Sequence, residues 1–108
     1  MSQNIDNERE VKKIFSKYQK CVHFQNLVKD GYSYFLETDD VGSLENLKQF
    51  KNRVDLTLSM LRPLSKLFLK NCYLKRIDSH WWMNVYSKST FYRYKNEAIQ
   101  EFLYYFNL

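Results

Sequence analysis

Glycine occurs twice in 108 residues and proline once, so the chain lacks the turn-formers that a β-sandwich or barrel needs at every hairpin. No stretch alternates apolar and polar residues in the manner of a strand, and the sequence predicts an all-α fold. Cysteine is equally scarce. Cys21 and Cys72 lie far apart and outside any Cys-x-x-Cys pair, which points to reduced core thiols and away from a disulfide scaffold. Long apolar runs are missing too: none approaches the ~20 residues of a membrane span. The N-terminus is polar, without the apolar segment of a signal peptide, and a cytoplasmic protein with no membrane partner is expected.

Chemistry-bearing motifs are also absent. There is no Gly-rich phosphate loop, no Gly-x-Ser-x-Gly elbow and no His-Glu-x-x-His pair, so neither an enzyme nor a cofactor is expected. Asp39 and Asp40 form a carboxylate pair, but in a polar stretch with no apolar surroundings to tune either group. Cys21, His23, Cys72 and His80 are ligand types that zinc prefers. Their spacing argues against a metal site, because i and i+2 on a helix point about 200° apart and no knuckle signature joins the other two.

What the chain does have is apolar and aromatic material, 44% hydrophobic and 18% aromatic, enough for one core and too little for two. Its formal charge is +5. Residues 1–50 carry seven Lys+Arg against eight Asp+Glu, whereas residues 51–108 carry ten against four. A basic half of this kind gathers a polyanion's field and releases its counterions on binding. Lysine-, asparagine- and tyrosine-rich usage also resembles that of AT-rich genomes, those of mycoplasmas, related low-GC bacteria and their phages among them.

Several amphipathic segments follow in order. Val11, Ile14, Phe15, Tyr18, Val22 and Gln25 share one helical face, with Lys12, Lys13, Lys17 and Lys20 on or beside the other, which predicts a long N-terminal helix reaching Lys29. Asp30-Gly31 breaks or bends it, and residues 32–36 read equally as an extra helix or its continuation. Residues 37–43 form an acidic linker, with Ser43 opening the next helix. Leu44, Leu47, Val54, Leu58 and Leu61 make a second stripe that ends before Pro63, which belongs in the first turn of a new helix. Leu64, Leu67, Phe68 and Leu74 supply that helix's buried face. Asp78 or Ser79 is placed to cap a short helix carrying Trp81 and Trp82. At least one indole is expected to pack on Leu67, Phe68 or Phe91; base stacking is the weaker reading.

The C-terminal run from Ser87 to Phe106 is the most informative. Ser87 can cap a helix start, and Phe91, Ala98, Phe102 and Phe106 recur at helical spacing. Lys88, Ser89, Tyr92, Arg93 and Asn96 are left together on the other side, donors and hydroxyls suited to phosphate oxygens and base edges. A helix N-terminus adds free N–H groups and a positive dipole end.

This run, Ser87-x-Ser89-Thr90-Phe91-Tyr92-Arg93 followed by Glu97-Ala98-Ile99-x-Glu101-Phe102, resembles the helix-turn-helix of the autolysin-regulator type of phage transcriptional regulators, itself similar to region 4 of sigma-70 factors. The resemblance implies that Ser87 opens a recognition helix, that Thr90 and Arg93 lie at DNA, and that Ala98 packs on the preceding helix. Leu61 to Tyr73 is similar to the helix that precedes the motif in region 4. Where the family has a first helix ending in Leu-Gly, this chain has Ile77 to Tyr86, with two tryptophans and no glycine.

The expectation is therefore an all-α helical bundle. Residues 1–42 form a helical arm and acidic joint, either packed across the rest or projecting as an association arm, and residues 43–108 a sigma region 4-like helix-turn-helix domain. Its expected partner is double-stranded DNA, bound by Ser87, Lys88, Ser89, Thr90, Tyr92, Arg93 and Asn96, with Lys66, Lys70, Lys75 and Arg76 anchoring the backbone. A homodimer on a two-fold site is compatible with this. The alternative is a protein interaction module that keeps the architecture and binds RNA polymerase or a sigma factor, favoured by the altered first helix and by surplus aromatics such as Tyr104 and Tyr105.

Overall fold

The structure, a computed structural model, describes residues 2–29, 41–75 and 77–108. Among these residues it is all-helical, with four α-helices: α1 (Ser2–Lys29), α2 (Val41–Met60), α3 (Pro63–Leu69) and α4 (Lys88–Phe106). Residues 30–40 and Arg76 lie outside the described residues. With them lie the expected break at Asp30-Gly31, the segment 32–36 and the acidic part of the linker.

α1 buries Val11, Ile14, Phe15 and Cys21, a three- and four-residue recurrence that turns one stripe inward. It lies packed on α2 and α4 and contributes to the same core as they do. α2 begins at Val41, so Gly42 and Ser43 stand inside the helix and not in the linker where the sequence puts them. Its core face is Val54, Thr57, Leu58 and Leu61, the Thr57 hydroxyl being satisfied by the Arg53 carbonyl at 2.8 Å. Pro63 opens α3 at its first positions, after an extended Arg62. The missing N–H of proline costs nothing there, because the first helical amides have no intrahelical acceptor.

The buried face of α3 differs from the expected one. Ser65, Phe68 and Leu69 turn inward, while Leu64 and Leu67 are exposed. Phe68 and Leu69, both fully buried, take the inward face, and Ser65 beside them is satisfied there by donating to Glu101 of α4 at 2.9 Å. α3 continues into a π-helical turn, Lys70–Leu74, where the Lys75 N–H donates to the Lys70 carbonyl five residues back.

The segment carrying Trp81 and Trp82, expected as a short helix, is a run of turns over residues 79–85. Its amides bond three residues back, from Trp81 to Asp78, Met83 to His80 and Val85 to Trp82, and only Tyr86 reaches back four. The Asp78 carboxylate accepts from the His80 N–H at 2.9 Å, a local alternative to the helical ladder. Packing acts in the same direction. Both indoles meet Phe91, Trp82 stacked at 4.4 Å and Trp81 edge-on at 5.9 Å. Successive residues of a regular helix point about 100° apart, a poor arrangement for placing two neighbours on one ring.

α4 closes the fold. Phe91, Ala98, Ile99, Phe102, Leu103 and Phe106 form its buried stripe; Phe102 meets Phe15 of α1 in a tilted pair at 4.9 Å and stacks on Phe106 at 5.4 Å. At its far end the Arg53 guanidinium of α2 donates to the Phe106 carbonyl and lies over the Phe106 ring. A cation over the last carbonyls of a helix opposes the negative end of its dipole.

Candidate nucleic-acid interface

Ser87 caps α4 as its residue type predicts. Its backbone is extended, its Oγ accepts from the Thr90 N–H at 3.3 Å, and its hydroxyl donates to Thr90 Oγ1 at 2.9 Å. Thr90 is thereby half-buried and committed to the cap. Beyond it, Lys88, Ser89, Tyr92 and Arg93 are exposed and Asn96 is half-buried at the edge of the same surface. At about 100° per residue the outer side of this part of the helix runs from Lys88 through Tyr92, Asn96 and Ser89 to Arg93. Glu97, one turn beyond Arg93, bounds it with the opposite charge. Neither Lys88 nor Arg93 is ion-paired among the described residues.

The platform under this half of α4 is aromatic. Phe91 rests on Trp82 and Trp81, and Phe68 sits among Trp81 at 5.2 Å, Tyr86 at 5.5 Å, Phe91 at 5.7 Å and Tyr94 at 5.8 Å. Both indoles are half-buried, in keeping with packing as their main task, and Leu67, one expected neighbour, takes no share in it.

The anchoring lysines divide. Lys75 is exposed and lines a cavity that Tyr92 also lines. Lys66 and Lys70 are half-buried about a turn apart, and the Lys70 charge falls on Asp55 of α2. Of the three, the structure brings Lys75 to the same cavity as Tyr92 of α4. Arg76 lies outside the described residues.

Sequence reasoning passed over Lys95. It sits on the inner side of α4, one turn from Phe91, and its ammonium pairs with Glu8 of α1. Glu8 also accepts from the Tyr73 hydroxyl at 2.9 Å and faces Lys12 at 3.5 Å. Burial works to raise the Glu8 carboxyl, but hydrogen bonds from Lys95 and Tyr73 and the charges of Lys95 and Lys12 outweigh it and hold the group below the usual carboxylate range. Burial first, then the Glu8 charge and hydrogen bond, pushes the Tyr73 phenol far up, so it stays protonated and donates to Glu8. The available signal was Lys95 falling between Phe91 and Phe102 on the apolar stripe. An inward lysine needs a carboxylate, although nothing in the sequence says which.

Between α1, the π-helical turn, the Trp-bearing turns and α4 lies the cavity, about 440 Å³ and half open. Lys12, Lys75 and Lys95 are its cations, and Tyr73, Trp81, Trp82 and Tyr92 are among its walls. Cys72 also lines it as a free thiol, and burial raises its pKa, so it stays protonated and is a poor nucleophile. Among the described residues no three His, Cys, Asp or Glu side chains gather as a metal site, and no helix is long and apolar enough to cross a membrane.

No family model, no curated protein and no solved structure matches this chain.

Proposed function

We propose that the chain is a DNA-binding transcriptional regulator that reads double-stranded DNA through α4, with a sigma region 4-like arrangement in which turns stand in place of the first helix. One observation carries this reading. The N-terminal half of α4 is capped, stands on a rigid aromatic base, and presents Lys88, Ser89, Tyr92 and Arg93 on a surface that no other described element covers with a counter-charge. Free amides at the helix start favour phosphate, and Arg93 one turn on is placed for a guanine edge or a backbone oxygen. Lys75 extends the positive surface beyond the helix.

Selection from random duplex fragments by the purified protein, at low and at moderate salt, tests it. Retained sequences should share a motif, and affinity should fall linearly in log salt. Arg93→Ala is expected to cost about 1–3 kcal/mol at a base contact, and Lys88→Ala to lower the salt slope by about one. Retention of no sequence at either salt refutes the reading.

A second reading, a module that binds RNA polymerase or a sigma factor without touching DNA, is favoured by a different surface. Leu56, Met60, Leu64 and Leu67, spaced four, four and three apart, are all exposed along α2 and α3. Such a surface predicts weak salt dependence and sensitivity to Leu56→Lys.

A further inference from the structure

The cavity beside α4 has the chemistry of a binding site in its own right. Its volume of about 440 Å³ falls within the ~300–1,000 Å³ typical of small-ligand sites. Its walls bring together two features that a single ligand class combines. Aromatic faces and edges from Trp81, Trp82 and Tyr92 offer sequence-tolerant stacking for a planar ring. Lys12 and Lys75, on different elements, supply ammonium groups, and among the described residues no carboxylate lines the cavity. The third cation, Lys95, is already neutralised by Glu8, which lies behind it and also fixes Lys12 at 3.5 Å. Two positive charges remain, matching the roughly −1.5 to −2 of a phosphate monoester at neutral pH. The ridge of α1 adds to the field: Arg9, Lys12, Lys13, Lys17 and Lys20 line a shallow cationic surface that meets the cavity at Lys12.

We propose that this cavity binds a nucleoside monophosphate, its base against the Trp82 and Tyr92 walls and its phosphate between Lys12 and Lys75. The group can arrive as a free nucleotide or as the phosphorylated 5′ end of a nucleic-acid strand. The site does not depend on duplex reading by the outer surface of α4.

Trp81 and Trp82 are the only tryptophans of the chain, and both line the cavity, so intrinsic fluorescence reports its occupancy. The full chain is titrated separately with adenosine monophosphate, with a short 5′-phosphorylated single strand, and with adenosine and inorganic phosphate as half-ligands. Saturable quenching by the monophosphate or the phosphorylated strand is expected, with each half-ligand at least about tenfold weaker. Quenching by both identifies the nucleotide itself as the ligand, and quenching by the strand alone identifies a nucleic-acid end. Lys75→Gln, an exposed substitution whose folding is checked by circular dichroism, should weaken the effective ligand about tenfold or more. Lys12→Gln is the second variant. No saturable quenching by either phosphorylated ligand, or quenching indifferent to both substitutions, overturns the proposal. The result is separable from the duplex reading, because a protein that selects duplex fragments and fails these titrations loses only the cavity.

Discussion

Glu101 is the polar group on which the α2–α3 corner hangs, and removing it gives a stability loss that can be worked out beforehand. One carboxylate oxygen accepts from the Arg62 backbone N–H at 2.8 Å; the other accepts from Arg62 Nε and from the Ser65 hydroxyl, both at 2.9 Å. Ser65 is only 4% exposed. Glu101→Ala leaves that hydroxyl without a partner, at the ~1–3 kcal/mol of an orphaned buried polar group. Arg62 is largely exposed, so solvent screens its ion pair and the pair adds little. The loss is therefore about 1–3 kcal/mol. An unfolding entropy of ~2.1 cal/mol/K per residue turns that into a fall of roughly 4–13 °C in Tm for a chain of this size. Urea denaturation followed by circular dichroism at neutral pH measures the first quantity and a thermal melt the second. In a Ser65→Ala background the orphan no longer exists, and Glu101→Ala should cost about 1 kcal/mol or less. A loss within about 0.5 kcal/mol in the parent protein, or an equal loss in both backgrounds, refutes the assignment.

Acid should destabilise the fold through three carboxylates. Glu8, Asp55 and Glu101 are each opposed by burial, yet each is held below its ordinary pKa by hydrogen bonds: from Lys95 and Tyr73, from Lys51 and Tyr18, and from Arg62 and Ser65. A depressed carboxyl contributes stability that is fully present above its unfolded pKa, about 4, and is lost as pH falls through the folded value. The urea midpoint should therefore hold from neutral pH to about 5 and drop below it, and less steeply in Lys95→Met; a midpoint constant to pH 3 would contradict this. Phe68 is fully buried at the centre of the aromatic platform. Phe68→Ala should cost about 3–5 kcal/mol in the same denaturation assay, and a loss below about 1.5 would show the platform to be soft.

Local signals in the sequence reach some of this and not the rest. The scarcity of glycine and proline, with three- and four-residue apolar spacing, predicts an all-α chain. The break at Pro63, the cap at Ser87 and the inward stripe of Phe91, Ala98, Phe102 and Phe106 follow from residue type and position alone. Hydrophobicity misplaces the face of α3, where a serine goes inward and two leucines outward. The inward serine is satisfied by Glu101, thirty-six residues away in the chain, a partner that no local pattern shows. Turns in place of a helix at Trp81-Trp82 have a similar origin, since the preference for both indoles to meet Phe91 is tertiary. Lys95 is legible as an inward cation, but its partner Glu8 comes from a helix at the other end of the chain.

These non-local polar pairs explain how one helix serves two ends. The C-terminal half of α4 is held by the central core, through Phe102 against Phe15 and through Arg53 over the last turn. Its N-terminal half has only Phe91 in the buried stripe and rests instead on the indoles and Phe68. α1 reaches that half from one side, and it does so by taking Lys95 into an ion pair with Glu8. That inward lysine thereby fixes the helix in place. Neither Lys88 nor Arg93 has an ion-pair partner among the described residues. For the proposed duplex reading the contrast matters: the inner cation of the helix is neutralised, while an anion meeting Lys88 or Arg93 displaces no ion-paired carboxylate from either.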